Sequence, residues 1–128
     1  MDFVADLHVH TVASGHAYST VKEIAWVAAE KGLAMIALTD HGPGLPGGAH
    51  PYHFSNQIAI PEYLFGVRIL KGIEANAMDR FGKLDLDDFR LRKLDMVAVG
   101  LHTLCSPNGT VQENTAMMLA AIQNPYVD

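Results

Sequence analysis

A histidine or glutamate stands at the end of each apolar, strand-like stretch of this chain. His8 and His10 end the first stretch, His41 the second, Glu74 the third and His102 the fourth. Along the chain, 33 residues separate His8 from His41, 33 separate His41 from Glu74, and 28 separate Glu74 from His102. One strand and one helix with their connections take roughly 31 residues in a (β/α) barrel, so each step matches one such unit. The spacing therefore predicts parallel strands whose carboxyl ends meet at one rim.

The hydrophobic pattern predicts strands that alternate with helices. The predicted strands are Phe3–Val9, Leu33–Leu38, Val67–Ile73 and Asp95–Leu101. Helices are predicted from Thr20 to Gly32, over Pro61–Phe65, near Asp87–Leu94 and from Thr110 through Ala121. Capping boxes open the first and last of these helices, Gly32 suits a left-handed C-cap, and His41–Pro51 is a loop rich in glycine and proline. This alternation is typical of an α/β fold with parallel βα units.

The length of 128 residues limits how much of such a fold is present. A complete barrel takes about 250 residues, so this chain holds about four βα units. Hydrophobic residues make up 49% of the chain and charged residues 18%, which predicts a packed core rather than disorder. No linker or repeat divides the chain, so residues 1–128 are predicted to form one incomplete domain.

Charge and composition exclude several classes of protein. The formal net charge is −5, and no basic stripe suited to nucleic acid is present. No apolar run approaches the roughly 20 residues that a membrane span needs. Cys105 is the single cysteine and cannot form an internal disulfide, and the first ten residues lack the features of a secretory signal. We therefore expect a cytoplasmic protein with neither nucleic-acid nor membrane partners.

The residues at the predicted rim are suited to binding transition metals. Asp6, His8 and His10 alternate along the first strand and so project from one face, where Asp6 is placed to orient an imidazole. Imidazole and carboxylate ligands suit zinc, manganese or iron. The candidate metal ligands are His8, His10, His16, His41, Glu74 and His102.

A cluster of two or three divalent ions favours hydrolysis of a phosphate ester through a metal-bridging hydroxide, because the ions activate water and neutralise phosphate oxygens. Protonation of the leaving alcohol needs an acid, and either Asp40 or a metal-bound water is a candidate. Gly72 and Gly100 lie two residues before Glu74 and His102. These glycines either leave room beneath the metals or reflect ordinary packing in a barrel.

Several segments together resemble a known family. Asp6–Thr11, Thr39–His41 and Gly72–Asn76, with His16 and His102, resemble the PHP (polymerase and histidinol phosphatase) superfamily, and most closely its small stand-alone phosphatases of the YcdX type. The resemblance covers essentially the whole chain. It implies the N-terminal portion of a distorted (β/α)7 TIM-like barrel, and a metal-dependent phosphatase that acts on a small phosphomonoester.

The resemblance also implies a trinuclear site with up to three metal ions, usually zinc and sometimes manganese or iron. By the family's motifs, His8, His10 and Glu74 hold the first metal, Glu74 bridges to a second that also takes His102, and His16 and His41 hold the third. Glu74, as the bridging ligand, and Asp40, as the candidate acid, are the predicted catalytic residues.

The sequence departs from the family at its end. A full member has three further ligands, namely a histidine on the fifth strand and an aspartate and a histidine in a late DxH motif. One more unit after His102 falls at about position 130, past Asp128, so the chain is expected to be truncated at the start of the fifth strand. Each metal then lacks one protein ligand, which predicts weaker binding and looser geometry.

Other interpretations stay open. One is a catalytically impaired half-barrel that still binds metal and pairs with another chain, as a homo-oligomer, through its exposed surfaces. Another is an amidohydrolase, which also begins with HxH on its first strand, although His16 and Glu74 argue against it. A third, the PHP domain of a DNA polymerase, lacks its polymerase segments here.

Overall fold

The computed structural model describes residues 4–107 and 109–128 of the chain, so Phe3 of the first predicted strand lies outside the described residues. The elements in chain order are β1 (Ala5–Val9), α1 (Val21–Glu30), β2 (Met35–Leu38), α2 (Pro51–Asn56), β3 (Tyr63–Leu64), β4 (Val67–Asn76), α3 (Asp88–Leu91), β5 (Met96–Gly100) and α4 (Val111–Ala121). Two short 3-10 turns, Val12–Ser14 and Gln57–Ala59, complete them.

The sheet is parallel along its main path. β1 pairs with β2, β2 with β4, and β4 with β5, each in parallel. The ten-residue strand β4 pairs through its first half with β2 and through its second half with β5. The sheet forms a half-barrel, which confirms the predicted α/β fold with parallel units. Because its strands are parallel, their carboxyl ends lie along one rim.

The structure corrects one predicted element. Pro61–Phe65 was predicted as a helix, but it contains β3, which pairs antiparallel with the start of β4. The two-residue connection, Phe65 and Gly66, has φ angles of 52° and 82°, as a type I′ hairpin turn requires. The proline signal for a helix start belongs to Pro51 instead, which opens α2 behind the capping residue His50.

The helix ends follow the predicted signals. Thr20 and Glu23 form the capping box of α1, and Thr110 and Glu113 that of α4, with both reciprocal hydrogen bonds in place. Gly32 has a φ of 75° and closes α1, because its N–H and that of the next residue donate to two carbonyls of the last turn. The helix predicted near Asp87–Leu94 is shorter, with Asp87 as its N-cap and only Asp88–Leu91 helical.

The core consists of two hydrophobic clusters packed along the sheet. Ile36 and Leu38 of β2 pack with α1, together with Val67 and Ile69 of β4. Each of these four side chains is buried, and burial of one such side chain is worth about 1.5–3 kcal/mol. A second cluster joins the end of β4 to β5, α3 and α4, with the members Ala49, Phe54, Ile73, Ala75, Ala77, Leu84, Leu86, Leu91, Val97, Met117 and Ala121. The strands that carry the candidate ligands are therefore anchored in this packed core.

Among the residues described, no helix is both long and apolar enough to cross a membrane.

Candidate metal centre

The rim brings six of the predicted side chains together. They form three triads, and within each triad the potential ligand atoms lie within 4.8 Å of one another. The triads are His10 with His16 and His41, His8 with His10 and Glu74, and His41 with Glu74 and His102. Each pair of triads shares one residue, so the six side chains form one continuous cluster.

Backbone pairing places the two central residues of the cluster side by side. The ladder between β2 and β4 continues past the end of β2, where the N–H of Glu74 donates to the carbonyl of Asp40 at 3.0 Å. The N–H of Gly42 donates to the carbonyl of Glu74, also at 3.0 Å, and His41 pairs with Glu74 as a parallel bridge. His41 and Glu74 are therefore fixed by the sheet itself.

The Glu74 carboxylate touches four imidazoles. Its Oε2 lies 3.0 Å from Nδ1 of His41, 3.2 Å from Nε2 of His8 and 3.3 Å from Nε2 of His10. Its Oε1 lies 3.5 Å from Nε2 of His102. The carboxylate side chain is 10% exposed. Its two oxygens thus face different histidines, which is the arrangement that a carboxylate bridging two cations adopts.

The surroundings of His41 indicate that the imidazoles and the Glu74 carboxylate are arranged to bind a cation rather than to hydrogen-bond to one another. Its Nδ1 is buried and has no hydrogen-bond partner, although Glu74 Oε2 is close. Burial lowers the pKa of His41 to about 4 despite the attraction of Glu74, and burial also lowers the pKa of His10. Both imidazoles are therefore neutral near pH 7, the form in which histidine binds metal. With its imidazoles and carboxylate, this donor set suits zinc, manganese or iron.

The two glycines before the strand ends differ in what they make room for. A Cβ on Gly100 would lie 2.3 Å from Cε1 of His102 and 2.7 Å from Oε1 of Glu74. A Cβ on Gly72 would instead meet the carbonyl oxygens of Met96 and Leu38, at 2.7 and 2.9 Å. Gly100 therefore leaves space for the cluster, whereas Gly72 serves the packing of neighbouring strands.

Asp40 is buried behind the cluster and anchors the first loop. It accepts hydrogen bonds from the backbone N–H and hydroxyl of Thr11 and from the hydroxyl of Ser14. Burial alone would raise its pKa, but a close contact with His53 and these hydrogen bonds hold the pKa at about 2. Asp40 therefore carries no proton near neutral pH. The predicted role of Asp40 as proton donor finds no support in this geometry and stays a prediction.

The same loop brings His16 to the cluster. Thr11 caps the 3-10 turn Val12–Ser14, and Gly15 follows with a φ of 74°. A Cβ on Gly15 would lie 2.5 Å from the carbonyl oxygen of Gly47, so only glycine allows the loop to approach the glycine-rich segment after β2. His16 itself is exposed, and its ring centre is 4.7 Å from that of His41.

Three residues that the sequence analysis gave no role hold the cluster from behind. Ser14 contacts Nδ1 of His10 at 3.0 Å, and Asn76 contacts Nδ1 of His102 at 2.6 Å. Asp85 accepts hydrogen bonds from the backbone N–H and the side-chain amide of Asn76. The sequence could have indicated a role for Asn76, because Asn76 lies two residues after Glu74 and so projects from the same face of β4. Asp85 lies in an irregular segment that gave no signal.

Other polar residues lie at the edge of the site or outside it. Asp6 was expected to orient an imidazole, but it accepts a hydrogen bond from the backbone N–H of His8. His53 touches Asp40 at 3.2 Å from a half-buried position. Cys105 lies beside the carbonyl of His102, and burial raises the pKa of its thiol, so the metal-free thiol is protonated near neutral pH.

Comparison with known proteins places these residues in context. A family model described as PHP domain matches residues 6–127. A "Probable phosphatase" of Acetivibrio thermocellus is 51% identical over 128 residues, which is all of this chain and 53% of the relative. A probable phosphatase of Caldanaerobacter subterraneus is 53% identical over 126 residues, which is 98% of this chain and 50% of the relative. One from Clostridium botulinum is 44% identical over the whole chain and 53% of its own length. The chain thus spans about half the length of the curated relatives it matches.

Proposed function

Because the chain belongs to the PHP domain family, we propose that it is the N-terminal part of a metal-dependent phosphatase that hydrolyses a small phosphomonoester. The relatives named as probable phosphatases support the reaction class. The metal is proposed to be zinc, with up to three ions, and manganese or iron are the alternatives that the ligand set allows.

The observation that carries this proposal is the position of Glu74. A nearly buried carboxylate lies within 3.5 Å of one nitrogen on each of four histidines. Burial of an ionised carboxylate is costly unless positive charge compensates it. His10 and His41 do not supply that charge near neutral pH, because burial keeps both imidazoles neutral. Divalent cations held between the carboxylate and the imidazoles would supply it.

The three triads are compatible with the following assignment of ligands. We assign His8, His10 and Glu74 to one metal, Glu74 and His102 to a second, and His16 and His41 to a third. His10 and His41 each belong to two triads, so the geometry allows either of them to bind the neighbouring ion instead. Bound together, such ions supply an activated water near neutral pH and positive charge for the oxygens of a phosphate.

Glu74 and Asp40 are proposed to have different roles at the site. Glu74 holds its two oxygens toward different histidines and would help to hold the ions bound there. Asp40 is proposed to act by fixing the first loop, since Thr11 and Ser14 both donate to it. The acid for the leaving alcohol is then more readily supplied by solvent at the site than by Asp40, which is ionised.

The activity of these 128 residues by themselves is a separate question. The resemblance implies three further ligands beyond His102, and the chain spans about half of its relatives. A half-barrel that binds metal weakly and hydrolyses phosphate esters slowly or not at all is therefore the alternative function. A cytoplasmic location and a homo-oligomer formed through the open surfaces likewise stay proposals.

The proposal is tested by hydrolysis of p-nitrophenyl phosphate with the full native protein, purified without chelator. We expect turnover that chelator removes and zinc or manganese restores. His10→Asn should lower kcat/KM by more than about 100-fold, beyond the range expected for residues outside the ligand set. His50→Asn is the matched control, because His50 is exposed, caps α2, and is replaced by another good N-cap residue.

Two results would contradict the proposal. Turnover that persists in metal-free protein, or His10→Asn protein as active as the parent, removes the metal from the reaction. Hydrolysis of amides without hydrolysis of phosphate esters would favour the amidohydrolase interpretation instead.

A further inference from the structure

The buried contacts of Ser14 determine which nitrogen of His10 carries the proton. Ser14 has a single hydroxyl proton and two acceptor lone pairs. The proton goes to the Asp40 carboxylate, which lies 2.7 Å away and accepts two other hydrogen bonds from Thr11. The backbone N–H of His41 donates to the same hydroxyl at 3.0 Å. One lone pair is then left for Nδ1 of His10, so Nδ1 must be the protonated nitrogen.

The contacts of Asn76 lead to the same conclusion for His102. The amide nitrogen of Asn76 faces the carboxylate of Asp85 and the carbonyl of Gly42, and both of these only accept hydrogen bonds. The orientation of the amide is therefore fixed, with its oxygen toward His102. That oxygen lies 2.6 Å from Nδ1 of His102, so this Nδ1 must also carry a proton.

The surroundings are built to keep Asp85 in place. Its carboxylate also accepts the backbone N–H groups of Gly44 and Asn76, each at 2.8 Å. A Cβ on Gly42 would lie 2.4 Å from Oδ2 of Asp85, so this glycine admits the carboxylate to its position. Asn76 is fully buried and Ser14 is 2% exposed, which leaves little room for water to compete.

We propose that Asp40–Ser14 and Asp85–Asn76 are two positioning relays that hold His10 and His102 in the Nδ1–H form. In that form, the lone pair of each imidazole is on Nε2. These Nε2 atoms lie 3.3 Å and 3.5 Å from the two different oxygens of Glu74, so both lone pairs are presented to the cluster before any metal arrives. The role of the relays in metal binding rests on the proposed metal-dependent function. The hydrogen bonds that form the relays do not depend on that function.

The chain offers an internal reference with the opposite tautomer. His50 accepts a hydrogen bond at Nδ1 from the backbone N–H of Tyr52, so its neutral form must carry the proton on Nε2. Long-range nitrogen–proton NMR spectra of the full native protein, freed of metal and labelled with ¹⁵N at histidine, distinguish the two forms. We expect the Nδ1–H pattern for His10 and His102 and the Nε2–H pattern for His50.

Two variants then separate positioning from folding. Ser14→Ala removes the acceptor for His10, and Asp85→Asn lets the Asn76 amide turn its nitrogen toward His102. Each should shift its own histidine out of the Nδ1–H form and weaken zinc binding, measured by competition with a chromophoric chelator, by roughly 10- to 100-fold. The matched controls are Ser55→Ala and Asp95→Asn. In the parent, the hydroxyl of Ser55 accepts a hydrogen bond from Arg90, and the carboxylate of Asp95 accepts one from the backbone N–H of Lys71.

The outcomes distinguish this inference from the proposed function. An Nε2–H pattern for His10 or His102 in the unaltered protein overturns the relays, whatever happens to the variants. Variants that keep parental zinc affinity overturn them as well. A parent protein that binds no zinc, manganese or iron defeats the proposed function, while the tautomers of the metal-free protein still decide whether the relays exist.

Discussion

At the scale of single residues, Gly100 and Gly72 show that one glycine makes room for the candidate site and the other for the packing of the sheet. The space that a Cβ would fill there belongs to His102 and Glu74, whereas at Gly72 it belongs to the backbone of neighbouring strands. Both residues end or interrupt strands in similar sequence surroundings. Only the structure shows that one glycine serves the cluster and the other the sheet.

We therefore predict that two matched glycine substitutions affect different properties, one the affinity for zinc and the other the stability of the fold. Gly100→Ala should weaken zinc binding by roughly 10- to 100-fold, because two ligand side chains must move, and should leave thermal unfolding of the metal-free protein nearly unchanged. Gly72→Ala should lower the free energy of unfolding by about 1–3 kcal/mol, as expected for overpacking. Calorimetric unfolding and zinc titration check both. Equal zinc affinity in Gly100→Ala and parent would contradict this account of the cluster.

The position of the candidate ligands at one rim could be predicted from the sequence, whereas the contacts that Asp85 makes behind them could not. His8, His10, His41, Glu74 and His102 end predicted strands, and parallel strands bring their ends to one rim. Asp85 belongs to no regular element. It reaches the site because Gly42 and Gly44 leave space for its carboxylate, and such a contact between distant segments has no local sequence signal.

At the scale of elements, the hairpin of β3 and β4 contains a strained residue. Phe65 has a φ of 52°, a conformation that costs an ordinary L-residue roughly 1–2 kcal/mol and that asparagine tolerates better. Pro61 had suggested a helix here. Pairing of β3 with the edge of the first half of β4, through the Phe65-Gly66 turn, outweighs the helix preference of Pro61. The hairpin has no clear signal in the local sequence, because phenylalanine is an unusual residue for this turn.

Phe65→Asn should stabilise the protein by about 1 kcal/mol, since Asn-Gly is the preferred pair for a type I′ turn. Chemical unfolding measures the change. Phe65→Ala is the control, because it removes the exposed ring but keeps the strained conformation, and it should give no stabilisation. If Phe65→Asn destabilised the protein as much as Phe65→Ala or more, the ring rather than the turn would govern this hairpin.

At the scale of the whole molecule, the described part of the chain is an open half-barrel. Within it, β1 pairs only with β2, and β5 pairs along its length only with β4. Leu7 of β1 is 43% exposed. Unpaired strand edges with apolar neighbours favour association with another chain.

We predict that the 128-residue chain, expressed by itself, associates in a concentration-dependent way. Sedimentation velocity should show dimers or larger species at micromolar concentration. Leu7→Lys should shift the equilibrium toward monomer, whereas Val111→Lys, on the exposed face of α4, should not. A compact monomer at every concentration would contradict this prediction.

The central claim is that these side chains form a metal cluster joined by Glu74. Its most direct test is the metal content of protein purified without chelator, measured by inductively coupled plasma mass spectrometry for the parent and for Glu74→Gln. We predict more than one transition-metal ion per chain in the parent. Glu74→Gln should lose at least one of them, with an unchanged circular dichroism spectrum. A parent protein without transition metal, or a Glu74→Gln protein with the same metal content, would contradict the claim.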